Sequence, residues 1–431
     1  MIDIELVRSQ GETVEANLRR RQDPEVLRLF EEVRDADREW RSVRGDADAI
    51  RKRRNELSRQ IGEARRAGAP PADLDAEAKE ISSRLEALAE REEELLRARD
   101  AALRRLPNLL AESVPFGKDD AENVTVASWG TPDRTVGGRR SHADLLEGLG
   151  MAEFDRGRRA AGAGFYYLTG PIVLLDLALQ RFALDLLVER GFTPVAPPYM
   201  LRREPYEGVT DLADFENVMY RIADEDLYLI ATSEHPLAAL RMGEILDDAE
   251  LPIRLAGVSP CFRKEIGGHG VDQKGVFRVH QFQKVEQFVF CRPDESEAIH
   301  EELRANAEEV FRRLEVPYRV VNVCTGDLGT IAAKKYDIEA WFPRQQAYRE
   351  VVSCSNCTDY QARRLGIRMG KAGKPGKSVP HTLNSTAIAT SRGLAVILEQ
   401  YQRPDGGLDV PRVLRPYLGG RATIERPPRG G

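Results

Sequence analysis

From Val26 onward, apolar side chains recur every seventh residue in two interleaved series. One is Val26, Val33, Trp40, Ala47 and Ile61, passing over Arg54; the other is Leu29, Ala36, Val43, Ile50, Leu57 and Ala64. The pattern stops at GAPPAD and restarts as Leu74, Ile81, Leu88, Leu95 and Ala102, accompanied by Ala78, Leu85 and Leu106. A seven-residue period marks helices that bury one narrow seam, and a Gly/Pro break at 68–71 turns the chain back. An antiparallel coiled-coil hairpin is therefore predicted, each helix of about 40 residues reaching roughly 60 Å. Residues 1–25 read as a short helix and linker, with Asp23-Pro24 starting the first long helix; Pro107 stops the second.

Beyond it the pattern changes. Residues 111–140 are rich in Pro, Gly, Asp and Asn and read as a linker, dividing the chain into an arm (1–110) and a larger domain (141–431). In the larger domain helices and strands alternate. Helices are expected at Asp144–Leu149, Pro171–Arg190, 294–314 and Asn384–Gln402. Strands are expected at Gly164–Leu168, ahead of Pro197-Pro198, at Tyr228–Thr232, 316–324 and Ala347–Ser353. The stretch Ser259–Phe290 reads as a strand, a glycine-rich loop (Ile266–Gly275) and a longer strand holding Val276, Phe277, Val279, Phe282, Val285, Phe288, Val289 and Phe290. The fold class is α+β, on a mainly antiparallel sheet.

Glu286 interrupts that apolar strand, and an unpaired buried carboxylate costs free energy, so a ligand-holding role competes with an ordinary hairpin and its edge salt bridge. The 31% charged and 42% hydrophobic content is that of a soluble globular protein, and no apolar run reaches the ~18–20 residues that span a bilayer. MIDIELVRSQGE lacks a secretory pattern, and five scattered cysteines suit a reducing cytoplasm. Cys354-x-x-Cys357 has no second pair nearby, so packed thiols compete with a zinc or redox site. Net charge is −6, which leaves room only for a local basic patch. Arg51, Lys52, Arg53, Arg54, Arg59, Arg65 and Arg66 form one near the tip of the hairpin. They fit a phosphate backbone, or merely a solvated structural arm. No Walker loop, GxGxxG fingerprint or internal repeat is present.

Four segments in order make the pattern specific: helix 171–190 with GFTPVAPPYM, Thr232-Ser233-Glu234, SPCFRKE…FRVHQFQKVEQ, and HTLNSTAIATSRGLAVILEQYQ, with SCSNCTDYQARR between the last two. Over essentially its whole length the chain resembles the class II aminoacyl-tRNA synthetases, most closely the seryl-tRNA synthetase family. The resemblance implies activation of serine by ATP and transfer of the seryl group to tRNA(Ser), with tRNA(Sec) charged where it exists. It implies a homodimer built on the 171–190 helix and an arm reaching the long variable arm of a tRNA on the other subunit.

It also implies residue roles. Arg263 falls where the family places the α-phosphate, and Arg392 where it clamps ATP near the γ-phosphate. Lys264, Glu265 and Phe282 match nucleotide-binding positions, Phe282 being the ring on which adenine packs. Glu350, Val351, Val352 and Ser353 match the segment that meets ATP, with Glu350 and Ser353 at its Mg2+. Thr232, Ser233, Glu234, Glu286 and Thr386 match serine-contacting positions; Thr386 sits in Asn384-Ser385-Thr386-Ala387, where many relatives have NGSG. Arg51, Arg54 and Arg65 are the expected RNA-facing positions. On its own terms such a set suits phosphoryl chemistry, in which negative charges must be brought together under fixed cations.

Overall fold

A computed structural model describes residues 1–68, 72–135, 137–210, 217–265, 275–371 and 373–426. The turn at 69–71, most of the Ile266–Gly275 loop and the tail from 427 lie outside the described residues. The chain divides into two units, Met1–Leu109 and Leu110–Gly431.

The first unit is helical: α1 (Ile4–Ser9), α2 (Gly11–Arg19), α3 (Pro24–Arg66) and α4 (Ala72–Arg105). Residues 1–25 thus hold two short helices rather than one. Asp23 caps α3 by accepting from the Glu25 amide, with Pro24 in the first turn, where its missing N–H costs nothing. The heptad positions Val26, Leu29, Val33, Ala47 and Leu57 on α3 are buried, as are Ile81, Leu95 and Leu103 on α4. The seam is not wholly apolar. Asp37 is buried in it, its carboxylate accepting from Arg8 at 2.7 Å, Arg41 at 3.1 Å and Arg99 at 3.3 Å. Burial works to raise the Asp37 carboxyl, but these guanidinium groups, Arg8 first, hold it below the carboxylate range.

The second unit is built on an eight-stranded sheet: β1 (Val124–Trp129), β2 (Thr193–Val195), β3 (Ile253–Phe262), β4 (Gln281–Cys291), β5 (Tyr318–Asn322), β6 (Lys334–Phe342), β7 (Ala347–Asn356) and β8 (His381–Ala389). Their order is β1-β5-β6-β7-β8-β4-β3-β2, with every pair antiparallel except β2–β3. Helices α5 (Pro171–Glu189), α6 (Glu234–Ala239), α7 (Ser296–Arg313) and α8 (Thr390–Gln400) flank it. The main core joins Leu175, Leu179 and Phe182 of α5, Leu303 and Phe311 of α7 and Leu394 of α8 to Val285 and Val289 of β4. Phe288 and Phe290 point the other way, against Leu237 of α6. This alternation along β4 puts Phe282, Lys284 and Glu286 on one face.

Three sequence-based expectations are corrected. Asn384–Gln402 is not one helix: through Ala389 it is the central strand β8, and α8 begins at Thr390. A strand buried on both faces loses its polar alternation, so its pattern is indistinguishable from a buried helix. Likewise Val276, Phe277 and Val279 precede β4 rather than belonging to it. Gly275 stands at this approach with φ of 124°, where a Cβ would meet His142 Nε2 at 2.1 Å. The Gly164–Leu168 strand shrinks to Tyr167–Leu168. No helix among the described residues is long and apolar enough to cross a membrane.

Candidate active site

On the face of the sheet formed by β4, β7 and β8 lies a cavity of about 580 Å³. Local geometry explains which side chains enter it. In β7, Ile338 pairs with Val352 and Glu339 with Glu350, so Val351 is an extra residue, a bulge. That bulge brings Glu350 onto the same face as Ser353, which an unbroken strand could not do at odd spacing. A second bulge at Ala387 of β8 leaves Thr386 opposite Glu286 and turns Ile388 into the core.

Arg263 follows the end of β3, held by its Nε donating to the Ala231 carbonyl at 3.1 Å while its guanidinium lies 5.3 Å from the centre of the Phe282 ring. Arg392, in the first turn of α8, pairs with Glu350 Oε1 at 3.0 Å and lies 5.4 Å from the Phe277 ring. The two cations thus have their planes fixed before any anion arrives, which is what electrostatic preorganisation requires. Partial desolvation in the cavity works to raise the half-exposed Glu350 carboxyl, but Arg392, Lys335 and Arg263 outweigh it and hold the group below its usual range.

At the other end the chemistry is acidic and buried. Burial pushes the Glu234 carboxyl up to about 7, and nearby Glu286 adds to the rise. Gln361 Nε2 donates to Glu234 at 2.7 Å, and Gln361 is itself fixed by Thr382, whose hydroxyl donates to its Oε1 at 2.7 Å. Glu286 is also raised, by burial first, against the pull of Lys284 and Thr386. Its Oε2 lies 2.6 Å from the Lys284 ammonium and accepts from the Thr386 hydroxyl at 3.2 Å. Lys284 also donates to the Thr232 hydroxyl oxygen.

Of the expected ligand-binding positions, Thr232, Glu234, Arg263, Lys264, Glu265, Phe282, Glu286, Glu350, Val351, Ser353, Thr386 and Arg392 line this one cavity. Ser233 and Val352 do not. Ser233 turns away to share a hydrogen bond with Ser259 at 2.7 Å, and Val352 is packed in the core, opposite the bulge. Lys284, Asn384 and Ser391 line the cavity without having been singled out from the sequence. Lys284 was legible in principle: two residues before Glu286 on a strand means the same face. Cys354 and Cys357 are buried thiols outside any disulfide, Cys357 Sγ accepting from Asn384 at 3.6 Å. Among the described residues no three His, Cys, Asp or Glu side chains cluster as a zinc site made of protein ligands alone would need.

In the first unit, Arg51, Arg54 and Arg65 fall within about 60° of one another around α3. Arg51 pairs with Asp48 at 2.6 Å and Arg65 with Asp75 at 3.2 Å, whereas Arg54 is exposed with no ion pair among the described residues. Arg53 instead turns to Glu77 on α4.

The sheet, its bulges and the paired arginines define a class II synthetase core, and residues 218–401 match the family model "tRNA synthetase class II core domain (G, H, P, S and T)". Residues 1–110 match "Seryl-tRNA synthetase N-terminal domain". A serine–tRNA ligase of Methanocella arvoryzae is 55% identical over 424 residues, covering 97% of this chain and 99% of the relative. The crystal structure of seryl-tRNA synthetase from Pyrococcus horikoshii complexed with ATP superposes with a TM-score of 0.96 at 49% identity, covering 99% of this chain and 100% of that one. The cytoplasmic serine–tRNA ligase of Naegleria fowleri in complex with AMP gives 0.91 at 34% identity, covering 99% of each chain. The chain belongs to the seryl-tRNA synthetase family of class II aminoacyl-tRNA synthetases.

Proposed function

We propose that the cavity activates L-serine with ATP and passes the seryl group to tRNA(Ser), with tRNA(Sec) as a second acceptor. The observation that carries this is the division of one cavity into a cationic end, Arg263 and Arg392, and an acidic end, Glu234 and Glu286. A serine carboxylate oxygen attacks the α-phosphorus as the bond to the departing pyrophosphate breaks; a terminal ribose hydroxyl of the tRNA then attacks the carbonyl, releasing AMP. Neither step needs a strong base so much as charge neutralisation at the phosphate. Arg263 serves the α-phosphate, Arg392 the far end of the triphosphate, and Phe282 offers a ring face to adenine, with Lys264, Glu265, Val351 and Ser353 completing the nucleotide site. Thr232, Glu234, Glu286 and Thr386 receive serine.

Magnesium fits the donor set: Glu350 is an ionised carboxylate with 46% of its side chain accessible, and Ser353 adds a hydroxyl on the same face. One carboxylate with phosphates and water is how this ion is usually held, and when bound it neutralises phosphate charge. Homodimerisation is supported by α5, which leaves Val173, Leu174, Leu177 and Val188 exposed along an otherwise packed helix. The arm, with Arg51, Arg54 and Arg65, serves the tRNA, and the setting is cytoplasmic. Serine-dependent ATP–pyrophosphate exchange followed by charging of transcribed tRNA(Ser) tests the whole reading. Exchange with no amino-acid preference for serine would overturn it.

A further inference from the structure

Lys284 is an ammonium sealed into the acidic end of the cavity, only 5% exposed. An ammonium has three N–H donors. One goes to Glu286 Oε2 at 2.6 Å and one to the Thr232 hydroxyl oxygen. The third has no acceptor among the described residues, although Lys284 lines the cavity. Glu286 shows the complementary vacancy: its Oε2 takes both Lys284 and Thr386, while its Oε1 accepts nothing from the described residues. A buried donor and a buried acceptor, fixed side by side by their own ion pair, call for a ligand group that accepts from one and donates to the other.

Given the proposed serine site, on which this inference rests, the substrate's three polar groups can be assigned by elimination. Its ammonium is repelled by Lys284 and suits Glu234, which has no ion pair among the described residues. Its carboxylate must reach the α-phosphate beside Arg263, and once activated it becomes a neutral carbonyl. The hydroxyl remains, and it alone is both donor and acceptor. We infer that Lys284 is the specificity-determining residue for the serine side chain, donating to the hydroxyl oxygen while Glu286 accepts the hydroxyl proton. Alanine would leave both groups buried and unpaired, which is how a site built for a hydroxyl rejects its absence. Lys284 also keeps the acidic end from holding two uncompensated carboxylates, so its substitution by a neutral residue removes charge as well as a donor.

The test compares seryl- and alanyl-sulfamoyl adenosine, unreactive adenylate mimics that differ by one hydroxyl oxygen, so that the affinity ratio reads the hydroxyl alone and is independent of turnover. In the unmodified protein the seryl compound should be strongly preferred; equal affinity would sink the serine-site reading itself. In Lys284→Met the preference should fall by roughly tenfold to a hundredfold, as expected for one charge-assisted hydrogen bond. AMP affinity should stay unchanged. Lys284→Gln, which keeps a neutral donor, should lose less and serves as the decisive variant if Lys284→Met does not fold. A seryl-over-alanyl ratio within about twofold of the unmodified protein, in either folded variant, would overturn the role of Lys284 while leaving the serine site standing.

Discussion

Glu234 sits where a small shift in protonation changes what the site can bind. Burial raises its carboxyl to about 7, so below that pH it holds a proton. An incoming ammonium favours the ionised carboxylate, and binding must then expel the proton. The apparent KM for serine should therefore climb as pH falls below about 7, approaching tenfold per unit, and level off above it. The KM for ATP should not follow. In Glu234→Gln the serine KM should be high and flat from pH 6 to 8; a retained pH dependence would assign the titration elsewhere. At Arg263 the issue is shape rather than charge. Its Nε is committed to the Ala231 carbonyl and its plane to Phe282. Lysine keeps the charge but loses both anchors, so Arg263→Lys should lower the exchange kcat by about 10²–10³ with the melting temperature little changed.

At the scale of elements, the parts legible in the sequence were those whose apolar pattern is interrupted by polar or charged positions. The heptads of α3 and α4 announced themselves because only one narrow face is apolar, and β4 because Glu286 broke an apolar run. What stayed hidden was produced by tertiary context. β8 reads as helix since both its faces are covered, and the bulge at Val351 that makes Glu350 and Ser353 neighbours leaves no compositional trace. The Asp37 cluster escaped for the opposite reason: on helices carrying so many charges, Asp37 of α3, Arg8 of α1 and Arg99 of α4 look like solvated surface. Their burial yields a prediction. Asp37→Ala removes the one carboxylate that Arg8 and Arg99 share, leaving Arg8 only Glu5 and Arg99 only Asp100, both on the exposed side, and should destabilise the Met1–Leu109 unit by about 1.5–3 kcal/mol. Guanidinium denaturation of residues 1–109 measures this, and a loss under about 1 kcal/mol would mean that the cluster is solvated after all.

At the scale of the whole molecule, the chain separates its chemistry from its recognition. Every group assigned to serine and ATP lies within Leu110–Gly431, whereas the basic cluster lies on α3. The two activities should therefore be separable. A chain lacking residues 26–106 should retain serine-dependent pyrophosphate exchange within a few-fold, because no atom of the cavity is removed. Its charging of tRNA(Ser) should fall by at least about a hundredfold, the scale expected when several phosphate contacts are lost. Deletion alone would not say whether the arm acts through charge or through shape. Alanine at Arg51, Arg54 and Arg65 together separates them. Arg54 faces solvent with no ion pair among the described residues, and Asp48 and Asp75, the nearest acidic partners of Arg51 and Arg65, form exposed pairs that phosphates could displace at small cost. If all three meet the RNA backbone, the log–log salt dependence of tRNA binding should flatten by about 2 to 3, with exchange untouched. Weaker binding with an unchanged slope would mean that the arm recognises its tRNA by shape, with these arginines serving only to keep α3 soluble.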